Sequence, residues 1–267
     1  MRMLNTPRDD ALHALWRRLK LETSAPPPAS SWRVRINGHS CGWASPAVAE
    51  ALLQITSGDA VSQTLDLPAD HENLSNIACF LKQQGLLKGW RDELLDVRAP
   101  DGQLLGAIER AVMRPLGLTT YAVHLNAYTP DKNFWIARRA SHKNTDPGKW
   151  DTLVGGLIAS GETPKEALLR ESNEEAGLLP DHLANIHPRG VFIVRRVVPE
   201  GYQVEHTRVT DCVIPAGFTP KNLDGEVEEI RQASREEVLQ MIEQGAFTVE
   251  AALSILISLG CPPDLQG

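Results

Sequence analysis

At 267 residues the chain is long enough for one large domain or two smaller ones, each with its own core. Hydrophobic content of 42% and charge of 23% are those of an ordinary soluble globular protein. The net charge of −7 argues against general affinity for nucleic-acid backbone or an anionic membrane, and leaves room for a small anionic substrate bridged by metal ions.

The opening residues MRMLNTPRDD carry charge but no apolar segment, so no secretory signal is expected there, and no apolar run approaches membrane-spanning length. A cytoplasmic location is expected. Residues 9–22 show helical spacing in Leu12, Leu15, Trp16 and Leu19. Three prolines in SAPPPASS (24–31) then stop any helix and predict a linker or exposed loop. WRVRIN (32–37) predicts a strand, 46–54 a short helix and 73–84 a longer one ending at Gly85. Residues 86–97 read as a turn and a strand, and LLGAIERAVM (104–113) as a helix. Near Leu118 the character changes, which divides the chain into units 1–117 and 118–267. In the second unit TTYAVHLNAYT and NFWIARR predict strands. Residues 190–198 and 206–214 predict a strand pair around the turn Pro199-Glu200-Gly201. Residues 225–231 predict another strand; helices follow at 234–244, capped by Ser234, and at 248–259. The cysteines Cys41, Cys79, Cys212 and Cys261 form no C-x-x-C pair, so reduced thiols are expected rather than zinc ligands or a disulfide framework.

The stretch from Gly155 to Leu178, GGLIASGETPKEALLRESNEEAGL, organises the rest. Thr163 is a good N-cap, Pro164 suits the first helical position, Glu166 completes a capping box, and Gly177 is a left-handed stop. On that helix Glu171, Glu174 and Glu175 converge on one side, with Arg170 four before Glu174 and able to hold it. An acidic solvent face is the ordinary reading of a charge run. Here a Gly-Gly turn, a further acid at Glu162 and a well-capped helix stand in register around three mutually repelling carboxylates. Hard oxygen ligands with room for water suit Mg²⁺ beside substrate phosphates.

These residues resemble the Nudix hydrolase signature, G-x5-E-x7-R-E-U-x-E-E-x-G-U, at every fixed position: Gly156, Glu162, Arg170, Glu171, Glu174, Glu175, Gly177 and Leu178. Ser172 departs, standing where a bulky aliphatic is usual. The resemblance implies an α/β fold, the Nudix α/β/α sandwich with a mixed sheet, here preceded by a smaller α+β N-terminal domain. It implies Mg²⁺ or Mn²⁺ held by Glu171, Glu174, Glu175 and the Gly155 carbonyl, with Glu162 and Arg170 orienting the acids. One of those acids, or a loop acid, would act as general base. Of the acids in DGEVEEIR, Glu226 is the first choice to complete the metal shell, ahead of Glu228 and Glu229. Arg138, Arg139 and Lys143 are candidate phosphate cations, Lys143 foremost because it stands in K-x3-P-G-x-W-D. Trp135, Trp150, Tyr128, Phe192 and Tyr202 are candidates to stack on a substrate ring. His124 and His206 read as structural.

Beyond the signature, LLKGWRDELLDV, AIERAVMRPLGLTTYAVHLNAY and FWIARRASHKNTDPGKWDTLVGG are similar to the Nudix part of fungal thiamine pyrophosphokinases and plant relatives. That likeness implies a small-molecule diphosphate substrate, thiamine diphosphate or an oxidised analogue, cleaved to the monophosphate and phosphate. An analogue lacking the thiazolium charge is favoured if the pocket offers that ring no carboxylate. An ADP-ribose or nucleotide-sugar hydrolase would share the chemistry. A non-catalytic Nudix binding module would have lost acids that this chain keeps, and an isopentenyl diphosphate isomerase needs a cysteine setting not found here. A monomer or homodimer without nucleic-acid or membrane partners is expected.

Overall fold

The fold is described from a computed structural model covering residues 7–143 and 145–265. Residues 1–6, part of the opening where no secretory signal is expected, lie outside the described residues. The first helix, α1 (Pro7–Glu22), is followed by β1 (Trp32–Ile36), β2 (His39–Ala44), α2 (Pro46–Leu52), β3 (Ser57–Asp59) and β4 (Thr64–Leu67). These strands form a four-stranded sheet in the order β2-β1-β4-β3, with β1 and β4 parallel. Helix α3 (His71–Gln83), capped by Asp70, and the hairpin β5 (Leu94–Arg98)/β6 (Leu104–Glu109) complete the unit. Its core runs from Val34 to Leu118 and includes Leu52, Leu74, Leu81, Ile108 and Met113.

Residues 104–113 are not a helix, contrary to their spacing. They form β6 and one 3-10 turn, Arg110–Val112. Gly106 weakens a helix, and pairing with β5 offers the backbone partners. A side chain at Gly106 would strike the Ala69 carbonyl and Leu74, so the strand passes where only glycine fits.

The second sheet is built from β7 (Thr119–Tyr128), β8 (Phe134–Arg139), β9 (Trp150–Thr152), β10 (Val154–Leu157), β11 (Ile186–Val198), β12 (Gly201–Val213) and β13 (Val227–Ala233). Its order is β11-β12-β7-β8-β13, with β12 parallel to β7 and the other pairs antiparallel. One face carries α4 (Pro164–Ala176) over Val123, Leu125 and Leu153. The other carries α5 (Arg235–Glu243) and α6 (Val249–Ser258) over Phe134, Ile136, Phe192 and Val209. This is the expected mixed-sheet sandwich. Part-way along its length β7 exchanges one partner for another: Ala127 and Tyr128 pair with β8, whereas residues 122–125 pair with β10. The cleft described below lies where the two partners diverge.

Helix α1 departs from the expected division at 117/118. Leu12, Trp16 and Leu19 are buried with α6 and Phe192 in the core of the second unit. The proline-rich segment is stitched down rather than free: Ala25 N–H donates to the Arg195 carbonyl (2.9 Å) and Tyr202 Oη to the Ala25 carbonyl (2.6 Å). No helix of the described residues is long and apolar enough to cross a membrane.

Because α1 closes that core, Trp16→Ala should cost about 3–5 kcal/mol, read as a lowered urea midpoint. A chain starting at Thr119 should be insoluble or far less stable than the full chain. Equal stability of that shortened chain would show α1 to be dispensable.

Candidate active site

Helix α4 forms as its caps dictate. Thr163 accepts from the Glu166 N–H, Glu166 accepts from the Thr163 N–H, and Gly177 ends it at φ +64. It lies so close to β10 that both glycines at 155 and 156 are needed. A β-carbon on Gly156 would overlap the Glu171 side chain, and one on Gly155 would meet the His124 ring at 3.0–3.3 Å. At this contact the Gly155 N–H donates to Glu175 Oε2 (2.8 Å).

Arg170 is the hub. It grips Glu162 through two hydrogen bonds (2.7 and 2.8 Å), reaches Glu171 (2.8 Å) and Glu174 (3.2 Å), and donates to the Leu157 carbonyl (3.1 Å). Hydrogen bonds from Arg170 hold Glu162 below the usual carboxylate range, and the Ala159 N–H assists. Ser172, the departure from the signature, is fully buried, and its hydroxyl finds no partner among the described residues.

The three box acids separate in position. Glu171 and Glu175 line an open cleft, while Glu174 lies on the Arg170 side with its side chain 45% exposed. Glu175 is 6% exposed and takes one hydrogen bond, from a neutral amide. Burial, then the charge of Glu171, pushes its pKa well above the ordinary 4.5; burial also raises Glu171. Such carboxylates call for a cation. Ligand oxygens of Glu175, Asp224 and Glu226 lie within 4.8 Å of one another, an all-oxygen set suited to Mg²⁺ or Mn²⁺. The residues present therefore fit a divalent ion.

Of the outer acids, Glu226 lines the cleft and is ion-paired to Lys143, while Glu228 caps the Ser141 N–H and Glu229 pairs with Arg138 away from it. Lys143 lines the cleft. Arg139 does too, but its guanidinium is committed to Asp151 (3.1 Å) and the Thr145 carbonyl (2.9 Å), so it holds the loop in place.

Trp135 is not a stacking wall. It is buried on the α4 face with Val123 and Leu168, because its side of β8 faces the core. Phe192 and Tyr202 are buried, Tyr128 packs on Phe134, and Trp150 lies beneath Arg231 (4.6 Å to the ring centre). No Trp, Tyr or Phe is among the described residues lining the cleft. The floor is polar instead. His124 donates from Nδ1 to Thr152 Oγ1 (2.9 Å), since the Thr152 hydroxyl is spent on the Val154 carbonyl. Glu205, 8% exposed, accepts only from Thr120 Oγ1 (3.0 Å) among the described residues, and Glu250 is matched by Arg196 (2.9 Å) and Gln203 (3.1 Å).

Sequence reasoning missed Asp224, which stands beside Glu175 and Glu226, and it missed Glu205, Arg91, Arg110 and Arg114, which line the cleft. Asp224 is the first residue of DGEVEEIR and could have been weighed with its glutamates. The arginines carry no local signal; only the fold brings them here.

A NUDIX domain model matches residues 118–253, about half of the chain. The chain belongs to the Nudix family. Among curated relatives of this Nudix chain, Nudix hydrolase 24, chloroplastic, of Arabidopsis thaliana is 29% identical over 74% of this chain and 55% of its own length. Nudix hydrolase 20, chloroplastic, of the same plant is 28% identical over 68% and 50%. The chain thus spans about half the length of these relatives. The crystal structure of DR0079 from Deinococcus radiodurans covers 63% of this chain and all of its own at TM-score 0.49 and 23% identity.

A carboxyl whose folded pKa is raised stabilises the fold fully below its unfolded value, and that contribution is lost as pH rises through the folded value. With Glu171 and Glu175 raised above 4.5, the metal-free chain should lose this contribution as pH climbs from about 4.5. Bound metal offsets the loss. The gain in Tm on adding Mg²⁺ should therefore grow between pH 5 and pH 8, read by melting with and without chelator. A gain independent of pH would show the ion bound elsewhere.

Proposed function

We propose that the chain is a divalent-metal-dependent hydrolase of small-molecule diphosphates. The observation that carries this is the pair of box carboxylates, part-buried Glu171 and buried Glu175, facing a cleft with Asp224 and Glu226 beside them and too little cationic charge to balance them. Mg²⁺ or Mn²⁺ held by Glu171, Glu174, Glu175 and Glu226, with the Gly155 carbonyl and Asp224 as further ligands, would neutralise the diphosphate and acidify a water. Arg170 fixes the helix acids to Glu162 and to the loop before α4. Lys143 stands at Glu226, where its ammonium can exchange that partner for a phosphate oxygen. Arg139 keeps Asp151 and the Lys143 loop in place.

For the organic half, the likeness to thiamine pyrophosphokinase Nudix parts supports thiamine diphosphate and its oxidised analogues, yielding the monophosphate and phosphate. The condition for favouring an uncharged ring is not met, because Glu205 offers the cleft a buried carboxylate. A second reading, ADP-ribose or a nucleotide sugar, draws support from the cleft's polar floor, which suits hydroxyl groups better than aromatic rings.

Glu174→Gln and Glu175→Gln should each lower kcat by more than about tenfold, 1.4 kcal/mol, with unchanged circular dichroism. Without metal at pH 8, Glu175→Gln should melt no lower than the parent chain, because it removes a buried uncompensated charge. Retention of most of the parent kcat by both variants would remove the box acids from the chemistry. A comparison of kcat/KM for thiamine diphosphate, its oxidised analogues, ADP-ribose and a nucleotide sugar should rank a thiamine compound first. A tenfold advantage for either nucleotide selects the second reading.

A further inference from the structure

Three arginines in the active-site cleft come from outside the residues matched by the family model: Arg91, Arg110 and Arg114. They also line an adjoining cavity that shares Leu157 and Glu205 with the first. Their positions are built rather than incidental. Glu109 is 4% exposed, yet it carries no ion pair among the described residues. Its carboxylate accepts instead from the backbone N–H groups of Arg91 (3.0 Å), Glu93 (3.2 Å) and Ala111 (3.3 Å). One buried acid thus ties together the two ends of the β5–β6 hairpin, which are where Arg91 and Arg110 sit. The Arg110 N–H closes the same junction on the Glu93 carbonyl (2.8 Å).

The hairpin is in turn fixed to the box. In the loop before α4, Ser160 donates its N–H to the Leu94 carbonyl (2.8 Å) and its hydroxyl to Asp96 (2.7 Å). Arg114 is held separately, its carbonyl accepting from the Tyr202 N–H (3.0 Å). The side chains, by contrast, are held by long or part-exposed contacts. Arg91 stands 3.9 Å from Glu226, Arg114 stands 3.8 Å from Glu200 and donates to Thr145 Oγ1 (3.4 Å), and Arg110 makes a hydrogen-bonded but part-exposed pair with Glu93 (2.8 Å). Pairs of this kind are worth little in water and are exchanged cheaply for a doubly charged anion. A rigid backbone under replaceable ion pairs is what an anion-binding group requires, and the guanidinium fork matches phosphate oxygens in pairs.

We infer that the segment ahead of the Nudix domain supplies the phosphate grip of this site, with Arg91 and Arg110 binding substrate phosphate oxygens and Arg114 assisting at the rim. This rests on the diphosphate reading above. It explains why a chain of net charge −7 gathers three arginines beside the helix that carries Glu171, Glu174 and Glu175. Glu109 is a positioning residue, acting only through the two arginines that it anchors.

The test is binding of methylenediphosphonate, a diphosphate analogue that is not hydrolysed, by calorimetry on the full chain with Mg²⁺. Arg91→Ala and Arg110→Ala should each raise Kd about tenfold, and the double variant should raise it further, all with parental melting curves. Arg110→Lys should recover part of the loss, since it keeps the charge and gives up the fork. In turnover the same variants should raise KM more than they lower kcat. A double variant within twofold of the parent in both Kd and KM overturns the inference. If the full chain cleaves no diphosphate but binds the analogue in an arginine-dependent way, the grip stands and the hydrolase reading falls.

Discussion

The contact between α4 and β10 is the constraint on which the site depends. Two consecutive glycines let a helix approach a strand closely enough for a backbone amide to reach a carboxylate four residues beyond Glu171 on the same helix face. A neutral amide supplies part of what a buried carboxylate lost on leaving water, and it supplies no countercharge. That shortfall is the chemical content of the site. Arg170 makes it persist. By spending five hydrogen bonds on Glu162, Glu171, Glu174 and Leu157, it locks the helix to its own loop. The acids then cannot relieve their repulsion by turning away.

The N-terminal unit has its own hydrophobic core, but it is not a bystander. It braces the loop before α4 through Ser160, and its strand β2 lies against the segment that leads into β7 at Gly42 and Gly117, whose β-carbons would strike backbone of the facing segment. The crossing of α1 into the other core ties the two units further together. A helix whose Leu12, Trp16 and Leu19 are buried in the core shared with α5, α6 and β11 cannot be assigned to the segment that follows it in sequence.

Where the sequence was legible, the information was local. The ends of α4 were written in Thr163, Pro164, Glu166 and Gly177, because capping and the left-handed stop act within one turn. The link between Arg170 and Glu174 followed from helix geometry. What failed was decided at a distance. Residues 104–113 have the spacing of a helix, yet a partner strand and a close approach at Gly106 override it. Trp135 was a candidate to stack on the substrate as one of the aromatics of the second unit, but the strand's alternation turns it to the core. Strands β2, β3 and β4 were not foreseen, being short and weakly patterned. Arg91 and Arg110, nineteen residues apart, become neighbours only through a hairpin and the buried Glu109 between its ends.

The acids of this fold divide by how their charge is met, and the division locates the site independently of any motif. Asp151 has Arg139, Glu250 has Arg196 and Gln203, Glu162 has Arg170, and Glu109 has three backbone donors. Glu175 and Glu205 each have one neutral donor, and both open onto the same cleft. A chain that matches its buried charges elsewhere and leaves two unmatched in one place gives up stability there, because an uncompensated buried carboxylate is costly. Such a deficit is reduced by what enters the cleft: a cation at Glu175, and a hydrogen-bond donor at Glu205. The same cleft holds arginines whose ion pairs are weak enough to be given up. Its electrostatics are therefore complementary to a ligand with a metal-bound anionic end and a donor-bearing body, which is the general shape of an organic diphosphate.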